Sequence, residues 1–217
     1  MTPEFKPFPK MPRLSRECII TEKIDGTNAS ILITPGKDDP KAICGWFDEE
    51  TRTDMVMLAG SRTRWITPQD DNFGFAAWVS KNHNELMSLG AGHHFGEWWG
   101  YGIQRGYGIK EKRFSLFNVS RWALYGTEPQ VIPSADPRIV KMQDILPPCC
   151  GLVPILYRGR FSTLEAEYQV SLLRDLGSRA VPGFMKPEGV VVFHVAGGFG
   201  FKKTLEKDEQ PKGVSGV

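Results

Sequence analysis

Hydrophobic residues in this chain fall mainly in short runs that are separated by Gly, Pro, Asp and Asn. Runs rich in β-branched and aromatic side chains predict strands at 17–22, 28–34, 42–47, 93–98, 113–119, 151–157, 188–195 and 198–203. Helical spacing predicts helices at 72–89 and 163–176, the second opening on a capping box, Ser162-Thr163-Leu164-Glu165, and ending at Gly177. Because strands dominate and turn residues join them, we expect an α+β fold in which antiparallel sheets are flanked by helices.

The first predicted strand ends in a charged segment, Glu22-Lys23-Ile24-Asp25-Gly26-Thr27-Asn28. The pair Asp25-Gly26 is typical of tight turns, so we expect such a turn between the strands 17–22 and 28–34. A lysine that is partly desolvated in such a corner can lose its proton and act as a nucleophile. For this segment taken alone a solvated turn lysine is the favoured interpretation, and the nucleophile is favoured only if the rest of the chain supplies a site for a nucleotide.

Four later segments carry side chains suited to phosphate or metal. They are Ser61-Arg62-Thr63-Arg64, Phe95-Gly96-Glu97-Trp98-Trp99-Gly100, Pro187-Glu188-Gly189, and Phe199-Gly200-Phe201-Lys202-Lys203-Thr204. An arginine guanidinium can donate two parallel hydrogen bonds to the oxygens of one phosphate, and a lysine ammonium attracts the phosphate as a point charge. Two of these segments place a single carboxylate beside a predicted strand. The set therefore favours a nucleotide site.

Length and composition suit one folded region over 1–204 of the 217 residues, with 41% hydrophobic residues. The polar segment 205–217 is expected to be a disordered tail, with no oligonucleotide-binding or helical domain after it. No apolar run approaches the roughly 20 residues of a membrane span, and the N-terminus lacks a signal-peptide core. The four cysteines lack metal-ligand spacing.

Charge along the chain is segregated although the formal net charge is only +2. The segment 104–121 is basic, whereas 37–54 is acidic. Such segregation lets one face attract phosphates, and we predict that Arg105, Lys110 and Lys112 contact nucleic acid. Ordinary solvated surface charge accounts for the pattern equally well.

The order of these segments resembles that of the covalent nucleotidyltransferases, which include ATP-dependent RNA and DNA ligases and mRNA capping enzymes. It is most similar to the nick-sealing RNA ligases of T-even phages and trypanosome editing complexes. The likeness covers about 17–204 and lies in three strings: Glu-Lys-Ile-x-Gly-Thr-Asn with Asp25 at the variable place, 102–106 (Gly-Ile-Gln-Arg-Gly), and 114–119 (Phe-Ser-Leu-Phe-Asn-Val). The resemblance implies the adenylation-domain fold of these ligases.

This resemblance implies a role for each candidate residue. Lys23 would attack ATP and carry AMP, assisted by Asp25 and by Lys202 or Lys203 at the phosphate. The adenosine would contact Glu22 at the base edge, Phe117 at the adenine face and Glu97 at the ribose. Arg62 and Asn28 would assist at the phosphate and metal. Mg²⁺ or Mn²⁺ would be held by Glu188, with Asp25 and Glu97 as further candidates. The family pattern is Lys-x-Lys, so the doublet 202–203 leaves open which lysine contacts phosphate.

The resemblance favours a minimal ATP-dependent RNA ligase that joins 3′-hydroxyl and 5′-phosphate ends of RNA or DNA strands. An ATP-dependent DNA ligase and a GTP-dependent capping guanylyltransferase remain alternatives, as does an inactive nucleic-acid-binding module. Cytoplasm, or host cytoplasm for a phage gene, is the expected location, without a membrane partner. Oligomeric state stays open.

Overall fold

The computed structural model describes residues 3–124, 126–132, 141–206 and 208. The chain divides into two compact units, which we call the terminal unit (Met1–Lys23 and Pro154–Val217) and the central unit (Ile24–Val153). The strands are β1 Glu17–Lys23, β2 Thr27–Pro35, β3 Ala42–Asp48, β4 Thr53–Ser61, β5 Trp65–Ile66, β6 Gly92–Gly100, β7 Lys112–Leu116, β8 Trp122–Ala123, β9 Val131–Ile132, β10 Lys141–Met142, β11 Asp144–Ile145, β12 Cys150–Leu152, β13 Ile155–Arg160, β14 Gly189–His194 and β15 Phe199–Thr204. The helices are α1 Phe75–Leu86, continued by a 3₁₀ turn at Met87–Leu89, and α2 Thr163–Leu176.

The terminal unit is a four-stranded antiparallel sheet in the order β13-β1-β14-β15. One face of this sheet is covered by α2. Alternate residues of β1 and β14 point to that face because side chains alternate along a strand. The resulting core contains Cys18, Ile20, Ala166, Val170, Leu173, Val190 and Val192.

The central unit is a larger sheet in the order β12-β7-β6-β2-β4-β3, with β5 paired to β4. Its pairs are antiparallel except for β12 with β7. α1 buries Phe75, Ala76, Val79 and Leu86 in the same core as Trp98. The α+β class with antiparallel sheets is thus confirmed.

The predicted elements match in type, with four corrections. α2 has the predicted bounds, and Gly177 follows it with a φ of 80°. The capping-box contacts are wrong: among the described residues Ser162 makes no side-chain cap bond, and Glu165 instead accepts a hydrogen bond from Gln169 at 2.7 Å. α1 is shorter than predicted, and Asp71 accepts hydrogen bonds from the first backbone N–H groups of this helix.

The third correction concerns the tight turn expected between the first two strands. β1 pairs with β13 and β14, whereas β2 pairs with β4 and β6, so the two strands form no hairpin. β4 was missing from the predicted strands. Its buried run from Met55 to Gly60 does not alternate, and a continuous apolar run has no strand signature of its own.

Most of the predicted tail 205–217 lies outside the described residues. Within the part of the chain that the structure describes, neither helix has the length and apolar character needed to cross a membrane.

Candidate active site

Lys23 is the last residue of β1, and its ammonium contacts a buried carboxylate. Lys23 Nζ lies 2.5 Å from Glu188 Oε2, and Glu188 is only 4% exposed. The contact follows from the sheet register, because Lys23 is opposite Gly189, the residue after Glu188. At Gly189 the φ is 155°, and a Cβ atom would lie 2.1 Å from the carbonyl oxygen of Lys203. Glycine is therefore required where the carboxylate meets the lysine.

The same register separates Lys202 from Lys203. Residues opposite each other in antiparallel strands point to the same face. Thr21 is opposite Val191, which is opposite Lys202. Lys202 therefore shares the face of Thr21 and of Lys23, two residues further along β1.

Lys203 lies on the other face, with Val190 and Glu22. This is the face that α2 covers, and Lys203 Nζ lies 2.8 Å from Glu167 Oε1 of that helix. The hydrogen bond to Glu167 raises the pKa of Lys203. Lys203 is thus committed to a structural ion pair, whereas Lys202 is exposed on the face of Lys23.

Glu22 is 1% exposed and is surrounded by hydrogen-bond donors from the loop after α2. Its carboxylate accepts hydrogen bonds from the Ser178 hydroxyl at 2.6 Å and from the backbone N–H groups of Arg179 at 2.7 Å and Ala180 at 3.0 Å. Burial raises the pKa of Glu22, and the donated hydrogen bonds offset part of that rise. This loop therefore holds the side chain that the resemblance assigns to the base edge.

In the central unit, Glu97 organises the residues after the lysine. Glu97 is 7% exposed and accepts hydrogen bonds from Gly26 N at 3.0 Å and from Asn28 Nδ2 at 3.3 Å. A Cβ atom on Gly26 would lie 2.4 Å from the Trp98 carbonyl oxygen. The glycine of the motif therefore permits close approach to β6 rather than forming a turn.

Asp25 is held by a glycine-rich segment between β6 and β7. Its backbone N–H donates to the Tyr107 hydroxyl at 2.9 Å, and its Oδ2 accepts from Arg105 Nε at 2.9 Å. Tyr107 is 1% exposed, has a φ of 53° and packs edge-on against Trp99. Sequence analysis missed Tyr107, although glycines on both sides of an aromatic residue indicated a constrained backbone there. Arg105, predicted to contact nucleic acid, is engaged with Asp25 instead of standing free.

The remaining predicted residues are more exposed. Phe117 is 42% exposed just after β7, and Arg62 is exposed in the turn after β4. Lys110 is exposed, whereas Lys112 Nζ donates to the Phe73 carbonyl oxygen at 2.6 Å. Among the described residues, no group of three or more His, Cys, Asp or Glu side chains is placed to hold a metal ion. A metal here would need ligands from a bound molecule in addition to Glu188.

The antiparallel α+β fold agrees with the resemblance of the sequence to the covalent nucleotidyltransferases. Within this class the chain belongs to the RNA ligase family, because the model of that family matches residues 16–204. A comparison with curated proteins found no match.

Solved structures similar to this chain include three variants of an RNA ligase from Naegleria gruberi. An apo variant is 20% identical with a TM-score of 0.48, and a variant with ATP and Mn is 19% identical with a TM-score of 0.48; each comparison covers 88% of this chain and 50% of the other. A variant with AMP and Mn is 20% identical with a TM-score of 0.47, again covering 88% and 50%. The chain thus spans about half the length of these ligases.

The contact between Gly26 and β6 predicts that Gly26→Ala destabilises the protein. The added methyl would meet the Trp98 backbone, and overpacking of this kind costs roughly 1–3 kcal/mol. Gly45→Ala is the matched control, since its nearest neighbour would lie at an ordinary 3.4 Å. Urea unfolding should give a lower midpoint for Gly26→Ala and an unchanged one for Gly45→Ala. Equal midpoints for the two variants would contradict the close approach.

The buried carboxyl of Glu22 predicts a pH-dependent stability. Its pKa is raised from 4.5, so the folded protein binds this proton more readily than the unfolded chain. The stabilisation that protonated Glu22 gives the folded protein is complete below the pKa of this carboxyl in the unfolded chain. It is lost as pH rises through the pKa of the carboxyl in the folded protein. Relative to Glu22→Gln, which cannot titrate, the wild type should lose unfolding free energy as pH rises above 4.5. Urea unfolding across this range measures the difference, and parallel profiles would disprove the raised pKa.

Proposed function

We propose that this protein is an ATP-dependent RNA ligase that joins 3′-hydroxyl and 5′-phosphate ends through a lysyl–AMP intermediate. The observation that carries the proposal is the Lys23–Glu188 contact, in a chain whose residues 16–204 match the RNA ligase family. The contact supports it because the lysine is partly buried and is held beside a buried carboxylate that can also bind a divalent cation. A solvated turn lysine would have none of these properties.

In the first step, Lys23 Nζ attacks the α-phosphorus of ATP. A nitrogen–phosphorus bond forms, the bond from phosphorus to the bridging oxygen breaks, and pyrophosphate leaves. An ammonium has no lone pair, so one proton must first leave Nζ. The proton passes to solvent, and the cation of Lys202 on the same face of the sheet would favour the neutral amine by like-charge repulsion. The AMP would then pass to a 5′-phosphate, and a 3′-hydroxyl would displace it to join the strand.

A divalent cation fits the donor set, given the chemistry of Glu188. Mg²⁺ is commonly bound through one or two carboxylates together with phosphate oxygens of the substrate, so a cage made by the protein alone is not needed. Glu188 would supply the carboxylate oxygen, and Mg²⁺ or Mn²⁺ would neutralise charge on the phosphates. Asp25 and Glu97 are engaged with donors of the central unit, which favours Glu188 as the protein ligand.

Of the two adjacent lysines, we assign the phosphate contact to Lys202. It shares a face of the sheet with Lys23, whereas Lys203 points to the helix-covered face and pairs with Glu167. In a Lys-x-Lys pattern both lysines would share one face, because side chains alternate along a strand. In Lys202-Lys203 the two side chains point to opposite faces, so only one of these lysines can lie on the face of Lys23.

The lysyl–AMP step predicts that incubation with ATP and Mg²⁺ adds the mass of one AMP through an acid-labile, base-stable bond. Lys23→Ala should abolish the adduct, whereas Lys41→Ala, an exposed lysine of the central unit, should retain it. Intact-protein mass spectrometry provides the measurement, with circular dichroism as the folding control. An adduct on Lys23→Ala would refute the proposal. Preferential labelling by GTP would indicate a capping enzyme.

The face assignment predicts unequal effects of Lys202→Ala and Lys203→Ala. Loss of a cation that stabilises the transferring phosphoryl group should slow adenylylation by roughly 10²–10³-fold in Lys202→Ala. Lys203→Ala should stay within about threefold of the wild type, because it removes a partly exposed ion pair. Single-turnover adduct formation measures both rates. A larger defect in Lys203→Ala would overturn the assignment.

A further inference from the structure

An open pocket with a mostly apolar lining lies in the central unit, apart from the motif residues described above. It has a volume of about 470 Å³ and is bordered by α1, β6 and the segment that joins β6 to β7. The lining side chains that matter here are Trp78, Lys81, Trp98, Tyr101, Lys110 and Lys112. None of the residues assigned to adenylylation lines it.

The charge of this pocket is one-sided. Three lysines line it, and its lining contains no Asp or Glu. Lys112 is held in place, because its ammonium donates to the Phe73 carbonyl oxygen at 2.6 Å, which also accepts a hydrogen bond from Trp98 Nε1 at 3.2 Å. An ammonium that is already positioned loses little side-chain entropy when it binds an anion. Lys81 and Lys110 remain exposed at the same pocket.

Aromatic side chains also line this pocket, beside the three lysines. Tyr101 is 63% exposed, and Trp78 is half-buried against Phe75 and Trp98. A tyrosine ring left in water beside lysines offers a face on which a nucleobase can stack while its phosphates meet the ammonium groups. Stacking requires a base that is not enclosed in a duplex, so the combination favours an unpaired nucleotide over double-stranded nucleic acid.

We infer that this pocket binds an unpaired nucleotide of the polynucleotide substrate. Lys81, Lys110 and Lys112 contact its phosphates, and Tyr101 stacks on its base. The identity of the ligand as RNA rests on the proposed function, whereas the pocket's preference for a phosphate with an aromatic base rests on its own side chains. Arg105 does not line this pocket and contacts Asp25 instead. Lys110 and Lys112, which were predicted together with Arg105 to contact nucleic acid, do line it.

The phosphate contacts are tested with the double variant Lys81→Ala/Lys110→Ala. Fluorescence anisotropy of a labelled single-stranded oligoribonucleotide should show weaker binding, and the slope of log affinity against log salt should fall by about 1.4, or about 0.7 for each lost contact. Lys37→Ala/Lys41→Ala removes the same charge from exposed positions of the same unit and should leave the slope unchanged. Equal slopes for the two double variants would overturn the inference.

The stacking contact is tested with Tyr101→Leu and Tyr101→Phe. Leucine keeps apolar volume but removes the ring, and should weaken binding of the same oligoribonucleotide roughly tenfold. Phenylalanine keeps the ring face and should bind as the wild type does. Loss of affinity in both variants, or in neither, would overturn the stacking role.

Adenylylation by ATP, measured on the same variants, separates this inference from the proposed function. The pocket variants should form the AMP adduct at the wild-type rate. If they instead lose ATP affinity while RNA binding is unchanged, the pocket belongs to the ATP site and the inference fails. If the wild type forms no adduct but the pocket variants still lose RNA binding, the proposed function fails and the inference stands.

Discussion

The register between β1 and β14 is the constraint on which the charged groups of the terminal unit depend. It sets Lys23 opposite Gly189 and so brings the ammonium to Glu188. A slip of one residue would turn Lys23 toward the face covered by α2 and bring Glu22 to the opposite face, because strand side chains alternate. Burial of Ile20 and Val190 under α2 opposes that slip. Hydrophobic packing on one face therefore fixes the chemistry on the other.

Glu188 and Glu97, two of the three buried glutamates of the described residues, differ in the partners shown for their carboxylates. Glu188 faces a cation, so its charge is balanced locally. Glu97 accepts hydrogen bonds from Gly26 N and the Asn28 amide, and these bonds order the backbone after the lysine. A buried carboxylate needs one of these two solutions, since an unpaired charge in the interior is costly. Within the motif, Lys23 contacts Glu188, whereas Gly26 and Asn28 donate hydrogen bonds to Glu97.

Local sequence signals predicted the fold class, the position of α2 and most strands, because these depend on neighbouring residues. Residue chemistry also indicated Lys23, Glu97 and Glu188 as candidates. The pairing of β1 with distant strands could not be predicted, since it is set by sheet assembly rather than by Asp25-Gly26. The same holds for Tyr107, whose contact with Asp25 joins residues 82 apart in sequence. Only the register could distinguish Lys202 from Lys203, because both have the same chemistry.

The pairing of β1 also has a consequence for biosynthesis. The central unit is one continuous segment and can fold as soon as it leaves the ribosome, whereas β1 must wait for β13 and β14. Lys23 and Glu188 are 165 residues apart in sequence, so a large loop must close before this contact can form. A nascent chain therefore carries Lys23 without Glu188 until nearly all of the described sequence has been made. Lys23 and its carboxylate partner come together only near the end of translation of the described sequence.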